Sequence, residues 1–168
     1  MIPNSVTSIG NSAFAGCSNL TNIVIPNSVI SIEKYAFDCC KSLTNIMIPD
    51  SVTSIGNSAF TGCSNLTKII IPNSVTSIGE CAFADCKNLT NITIPNSVIS
   101  IGKNIFNSCS KLENVIIPNH LRSSWGRFNL WLKNYNYNYN TSIDKQNDIL
   151  NKNPENDNVS INILNEKL

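Results

Sequence analysis

Six prolines, Pro3, Pro26, Pro49, Pro72, Pro95 and Pro118, recur every 23 residues, and a Phe follows each of the first five after eleven residues. A fixed period in this range, carried by apolar positions, marks a solenoid in which each cassette lends its buried face to the next. The 168-residue chain is long enough for one ordinary domain, but short stacked coils have no central core that grows with length. Their stability comes from neighbours.

Counted from its Pro, the first cassette runs from Pro3 to Ile25, and the consensus reads P-N-S-V-T-S-I-G-x-x-A-F-x-x-C-x-x-L-T-x-I-x-I. The end of the cassette, Leu20 to Ile25, alternates in the period of a strand, with Ile23 and Ile25 inward. The opening Val6-Thr7-Ser8-Ile9 is also β-prone, and its apolar residues, three apart, suit a short strand bending at a corner. Phe14, Cys17 and Leu20 follow at steps of three, so a single helical or 3₁₀ turn puts them on one face. Pro cannot donate a ladder hydrogen bond and therefore stops the strand that precedes it. Gly10, Gly56, Gly79 and Gly102 occupy a place where a positive φ would be useful, but Glu33 holds that place in the second unit, which argues against one.

Stacking at the spacing of strands in a sheet, about 4.8 Å, predicts buried columns. Phe14, Phe37, Phe60, Phe83 and Phe106 form one; Leu20, Leu43, Leu66, Leu89 and Leu112 a second; Ile25, Ile48, Ile71, Ile94 and Ile117 a third.

The run Leu-x-x-Ile-x-Ile, then Pro-Asn-Ser-Val-x-Ser-Ile and Ala-Phe-x-x-Cys, resembles the BspA-like subclass of leucine-rich repeats over residues 2 to about 120. The resemblance implies an α/β repeat solenoid: a right-handed coil with a parallel β-sheet on one face and short second strands and single helical turns on the other. It also implies a non-enzymatic role in protein binding or adhesion, often at a cell surface, with no catalytic residues to carry over. Where the general leucine-rich pattern has Asn after the last strand, this chain has Ser28, Ser51, Ser74 and Ser97, and then His120. A hydroxyl ladder is thus expected to satisfy the turn backbone.

The side chains offer little for catalysis, cofactor binding or metal binding. Five of the seven cysteines, Cys17, Cys40, Cys63, Cys86 and Cys109, share one cassette position and read as a small buried column. Cys39 and Cys81 fall off it and read as partly exposed free thiols, and the set fits a reducing compartment better than an oxidising one. No Cys-x-x-Cys pattern or pair of histidines suggests zinc, and His120, the single histidine, has no marked nucleophile or orienting acid. Residues 1–118 hold six basic and six acidic side chains, and residues 119–168 hold six and five, so neither part carries an electrostatic footprint for nucleic acid.

The positions with most to offer a partner are the outward ones of the main sheet. Val24, Met47, Ile70, Thr93 and Ile116 form one stripe; Asn22, Asn45, Lys68, Asn91 and Asn114 form another. Four of the first five are apolar on a face expected to meet solvent. β-propensity accounts for that on one view, and a contact patch on the other.

Residues 1–120 are therefore read as a five-unit solenoid, 121–134 as an amphipathic capping helix through Leu121, Trp125, Phe128, Trp131 and Leu132, and 135–168 as an Asn-rich tail, mostly disordered, with at most a short strand from Val159 to Leu164. The first coil has no such cap, an edge open to self-association or to further repeats. No apolar run is long enough to span a bilayer, and no secretory signal opens the sequence. A cytoplasmic location is expected if Met1 is the true start, and a cell-surface one if upstream sequence is missing.

Overall fold

The computed structural model describes residues 1–121, together with the backbone of Asn158–Asn162. Its architecture is a parallel-strand solenoid of about five coils with almost no helix, matching a leucine-rich-repeat coil. The expected capping helix beyond Leu121 and most of the expected tail lie outside the described residues. The part of the tail that is described is a strand, and it covers Asn158–Asn162 where Val159 to Leu164 was expected.

Each coil contributes to three hydrogen-bonded faces. The second strands, β1 (Ser8–Ile9), β2 (Ser31–Ile32), β4 (Ser54–Ile55), β6 (Ser77–Ile78) and β8 (Ser100–Ile101), pair in register as one five-stranded parallel sheet. Each has two residues, because the chain must turn a corner immediately afterwards. The main face carries β3 (Asn45–Met47), β5 (Lys68–Ile70), β7 (Asn91–Thr93) and β9 (Asn114–Pro118). These strands bury the middle residue and expose the flanking two in β3, β5 and β7, as the period of two requires. They are shorter than the six-residue alternation suggests. In the first coil the strand shrinks to a single bridge, Val24 to Met47.

The third face replaces the expected helical turns with successive hydrogen-bonded turns such as Ala59 N to Gly56 O, Thr61 N to Ser58 O and Cys63 N to Phe60 O. Amides on this face also reach the following coil: Ser58 N donates to Glu80 O, Phe60 N to Ala82 O and Gly62 N to Ala84 O at 2.8–2.9 Å. Two residues per coil take a left-handed backbone to do this. They are Ser12, Tyr35, Ser58, Cys81 and Asn104 at one place, and Gly16, Cys39, Gly62, Asp85 and Ser108 at the other. For Tyr35, at φ 59, that conformation costs on the order of 1 kcal/mol, offset by its amide bond to Asn57 O.

The glycine set expected at the corner serves a different end from positive φ. A Cβ on Gly56 would lie 2.6 Å from Lys34 N, and one on Gly79 or Gly102 would strike the backbone of the coil before. Close approach between coils, not chain reversal, excludes a side chain there.

Inside, the five Phe rings form a column, with centroids 5.2, 5.2, 5.6 and 5.9 Å apart and the first three pairs within 7° of parallel. The Leu and Ile columns stand beside it in one continuous core. Stacking at this distance lets each ring cover the face of the next, a large apolar area removed from water per coil. Two polar columns pin the register. Ser28, Ser51, Ser74 and Ser97 donate to Val6, Val29, Val52 and Val75 carbonyls at 2.6–2.7 Å, which is the expected hydroxyl ladder. His120 Nε2 takes the same place against Val98 O at 2.8 Å. The thiols of Cys40, Cys63, Cys86 and Cys109 reach the carbonyls of Phe14, Phe37, Phe60 and Phe83 at 3.1–3.3 Å, so those cysteines hold backbone as well as filling space.

Candidate functional site

On the main sheet, the register brings the expected partner-binding residues of the first three coils together. Val24 bridges to Met47, and Met47 pairs with Ile70. All three stand well out of the core, at 71, 75 and 55 % exposure. Asn22, Asn45 and Lys68 are exposed beside them, with Asn45 paired to Lys68. Inward residues of the same strands, Ile46 and Ile69, are buried and fix the outward set. The result is an apolar strip with a polar margin, in which Lys68 is the one charge of the two stripes.

The remaining four residues form a separate group. Asn91 pairs with Asn114 and Thr93 with Ile116, and Asn114 Nδ2 donates to Asn91 Oδ1 at 2.8 Å. Ile116 and Asn114 are half-buried, so the apolar strip does not continue across all five coils. Between the groups the ladder lapses: β3 pairs with β5 and β7 with β9, but β5 and β7 are not joined as a sheet. A groove of about 870 Å³ opens at this seam, lined by Lys68, Ile70, Asn91 and Thr93 from the strands and by Asn73, Asn96 and Ser97 from the turns beyond them. Its walls present hydroxyls, amides and the Lys68 ammonium, which makes no hydrogen bond or ion pair among the described residues. Such a lining can grip a polar backbone or a carboxylate while the neighbouring strip takes apolar side chains.

The turn residues of the groove gave no signal in the sequence, since Asn73, Asn96 and Ser97 follow the cassette and read as structural. Two other exposed apolar residues, Ile30 and Ile99 at 52 and 75 %, replace Thr in the column of Thr7, Thr53 and Thr76. Departure from the column was the available clue. They lie three coils apart and make no patch.

The cysteines do not assemble a reactive centre. Burial pushes the Cys40 thiol up to about 11, with further upward pressure from Cys17, and the Cys109 thiol up to about 12. Cys63 and Cys86 are raised for the same first reason. Cys39 and Cys81, half-exposed free thiols, are raised too, by burial and then by Asp38 and Glu80 respectively. Raised thiols hold their protons and are poor nucleophiles at neutral pH. Among the described residues no group of three or more His, Cys, Asp or Glu side chains could hold a metal ion, and no helix is long and apolar enough to cross a membrane.

At the first coil, Phe14, Leu20 and Ile23 are only partly buried. They line a second hollow of about 600 Å³ with Ile2, Val6 and Ile9.

Comparison with known proteins agrees with this architecture. The model of the BspA type leucine rich repeat region matches residues 1–80 and 60–146, in six copies. Three similar solved structures are a leucine-rich repeat protein of Bacteroides ovatus, 45 % identical with a TM-score of 0.63, a leucine rich repeat protein of T. pallidum, 37 % identical with 0.64, and a leucine rich cell surface protein of Faecalibacterium prausnitzii, 41 % identical with 0.61. Each similarity covers 66 % of this chain but only 28, 51 and 29 % of the other, respectively. None of the curated proteins matches.

Proposed function

Because the chain belongs to the BspA-type leucine-rich repeat family, we propose that it is a non-enzymatic protein-binding module, of the interaction or adhesion kind, that uses the exposed face of its main sheet. Repeats of this family are generally protein-interaction scaffolds. The observation that carries the reading is the strip of Val24, Met47 and Ile70, exposed in register beside Asn22, Asn45 and Lys68. Contiguous exposed apolar surface with a polar margin is the composition of an interface centre and rim. The groove at the seam, with Asn91 and Thr93 on its far wall and Asn114 and Ile116 on the strand beyond, extends the contact surface. The similarity to a leucine rich cell surface protein of Faecalibacterium prausnitzii supports the cell-surface setting that an adhesive form needs.

Partner capture with the double substitution Met47→Asp and Ile70→Asp tests it. Both side chains are exposed, so the coil is expected to stay folded while capture drops by tenfold or more. Undiminished capture by a folded variant counts against the strip.

A second reading, a structural unit of a longer or self-associating array, is favoured by the hollow lined by Phe14, Leu20 and Ile23, core positions of the cassette that stay only partly buried in the first coil. Sedimentation as a monomer at high concentration would argue against self-association there.

A further inference from the structure

In a repeat array each strand's outer edge is covered by the strand of the next coil. After β9 the cassette ends: Asn119–Leu121 is a 3₁₀ turn, and no sixth strand of the repeat follows it among the described residues. An uncovered strand edge presents a row of unpaired amides and carbonyls, which is a template for another chain. Here the edge is covered by Asn158–Asn162, which pairs antiparallel to β9 over five residues, from Asn158 opposite Pro118 to Asn162 opposite Asn114. Every other strand pair among the described residues is parallel. This strand, β10, is thus not a degenerate repeat.

The alternation of β9 says which groups meet it. Asn114 N donates to Thr90 O, and Ile116 O accepts from Ile94 N, so the even-numbered residues of β9 direct their backbone groups toward the repeats. Those of Val115 and Ile117 point to the outer edge, opposite Ile161 and Val159. In an antiparallel ladder such residues exchange both bonds as close pairs. The incoming segment is Asn-Val-Ser-Ile-Asn, in which β-branched residues alternate with small polar ones in the period of a strand. The 39 residues from Asn119 to Asp157 make ample contour for this return, at up to about 3.5 Å per residue.

We propose that the outer edge of β9 is a strand-docking slot whose resident occupant is the chain's own Asn158–Asn162, and that this segment ends the array and keeps the edge from pairing with β9 of a second copy. With β9 bare, two copies can meet edge to edge in the antiparallel sense, the same patch on each, as a two-fold contact requires. A five-residue strand with a single partner belongs to the low-stability end of the structure, so the slot opens locally without unfolding the coils. The inference is independent of what the exposed strip binds.

Proline scanning in the full chain tests it, because Pro removes one amide donor at a chosen place. Ile161→Pro removes an amide that faces β9, whereas Ser160→Pro removes one that faces away, a position where an edge strand tolerates Pro. Hydrogen exchange at the Val115 and Ile117 amides, followed at low micromolar concentration where the chain is monomeric, is expected to speed up at least tenfold in Ile161→Pro and to change by less than threefold in Ser160→Pro. A synthetic peptide of residues 155–164, added to the Ile161→Pro chain, is expected to restore protection. Sedimentation should show Ile161→Pro forming dimers at about 100 µM that the peptide disperses. Protection of Val115 and Ile117 equal in the parent chain and in Ile161→Pro would overturn the slot, and equal loss in both variants would overturn the register. A monomeric Ile161→Pro chain with unprotected amides would overturn the claim that the segment blocks self-pairing. Slow alkylation of Cys63 in each variant confirms that the coils remain folded.

Discussion

The third and fourth coils and the first have the same cassette, yet they are different physical objects. Phe60, Leu66 and Cys63 are fully buried, while Phe14 and Leu20 are half-covered and Cys17 is exposed. The Ser74 hydroxyl has a carbonyl at 2.6 Å, and Ser5, its counterpart, has none among the described residues. Gly79 is pressed against the coil before it, and Gly10 has open space. Burial in a solenoid is therefore a property of the pair of coils, and a residue's worth depends on what lies on either side of it.

Matched substitutions turn that contrast into measurements. Phe60→Ala should cost about 3–5 kcal/mol in denaturant unfolding, since both ring faces and the cavity are lost, whereas Phe14→Ala should cost about 1–2 kcal/mol on half the coverage. Equal losses would mean that the column is not stabilised ring by ring. Gly79→Ala should cost about 2–3 kcal/mol, because the added carbon meets backbone that cannot give, while Gly10→Ala should be neutral or slightly stabilising; thermal unfolding of the pair would separate these. Ser74→Ala leaves the Val52 carbonyl without its partner and should cost about 1–2 kcal/mol, against a change within about 0.5 kcal/mol for Ser5→Ala.

The last expected effect, confined to alkaline pH, concerns the thiols. Burial raises Cys40 to about 11 and Cys109 to about 12 from 9.0. Between those values the unfolded chain has lost protons that the folded chain keeps, so stability is full below pH 9 and falls as the pH rises toward 11 and 12. A Tm that stays flat from pH 8.5 to 11 would contradict this. At pH 8, iodoacetamide should label exposed Cys17 first, and Cys63, Cys86 and Cys109 only on unfolding.

The features that repeat were legible in the sequence; the features that depend on one coil's setting were not. The Phe column follows from a period and a residue type, and the hydroxyl ladder from Ser28 and its equivalents standing where the general pattern has Asn. The left-handed positions escaped because their occupants, Ser12, Tyr35, Ser58, Cys81 and Asn104, share no residue type, and neighbouring-coil hydrogen bonds override local preference there. The column of Gly10, Gly56, Gly79 and Gly102 lies elsewhere, and Glu33 within it argued correctly against a positive φ there. The lapse between β5 and β7 leaves no trace, since Thr67–Ile71 and Thr90–Ile94 follow the same pattern as their neighbours. The break of the strip beyond Ile70 was visible only as Thr93, and the strand that pairs beside Ile116 comes from a segment some forty residues away.

The polar ties between coils have one more implication. Ser to Val spans 22 residues and Cys to Phe spans 26, so each reaches the adjoining coil and no further. Excising or duplicating a whole cassette would leave every hydroxyl and thiol with a carbonyl to meet. Array length is thus free to drift by unequal recombination between near-identical segments, while a shift of even one residue within a cassette would unpair a whole coil.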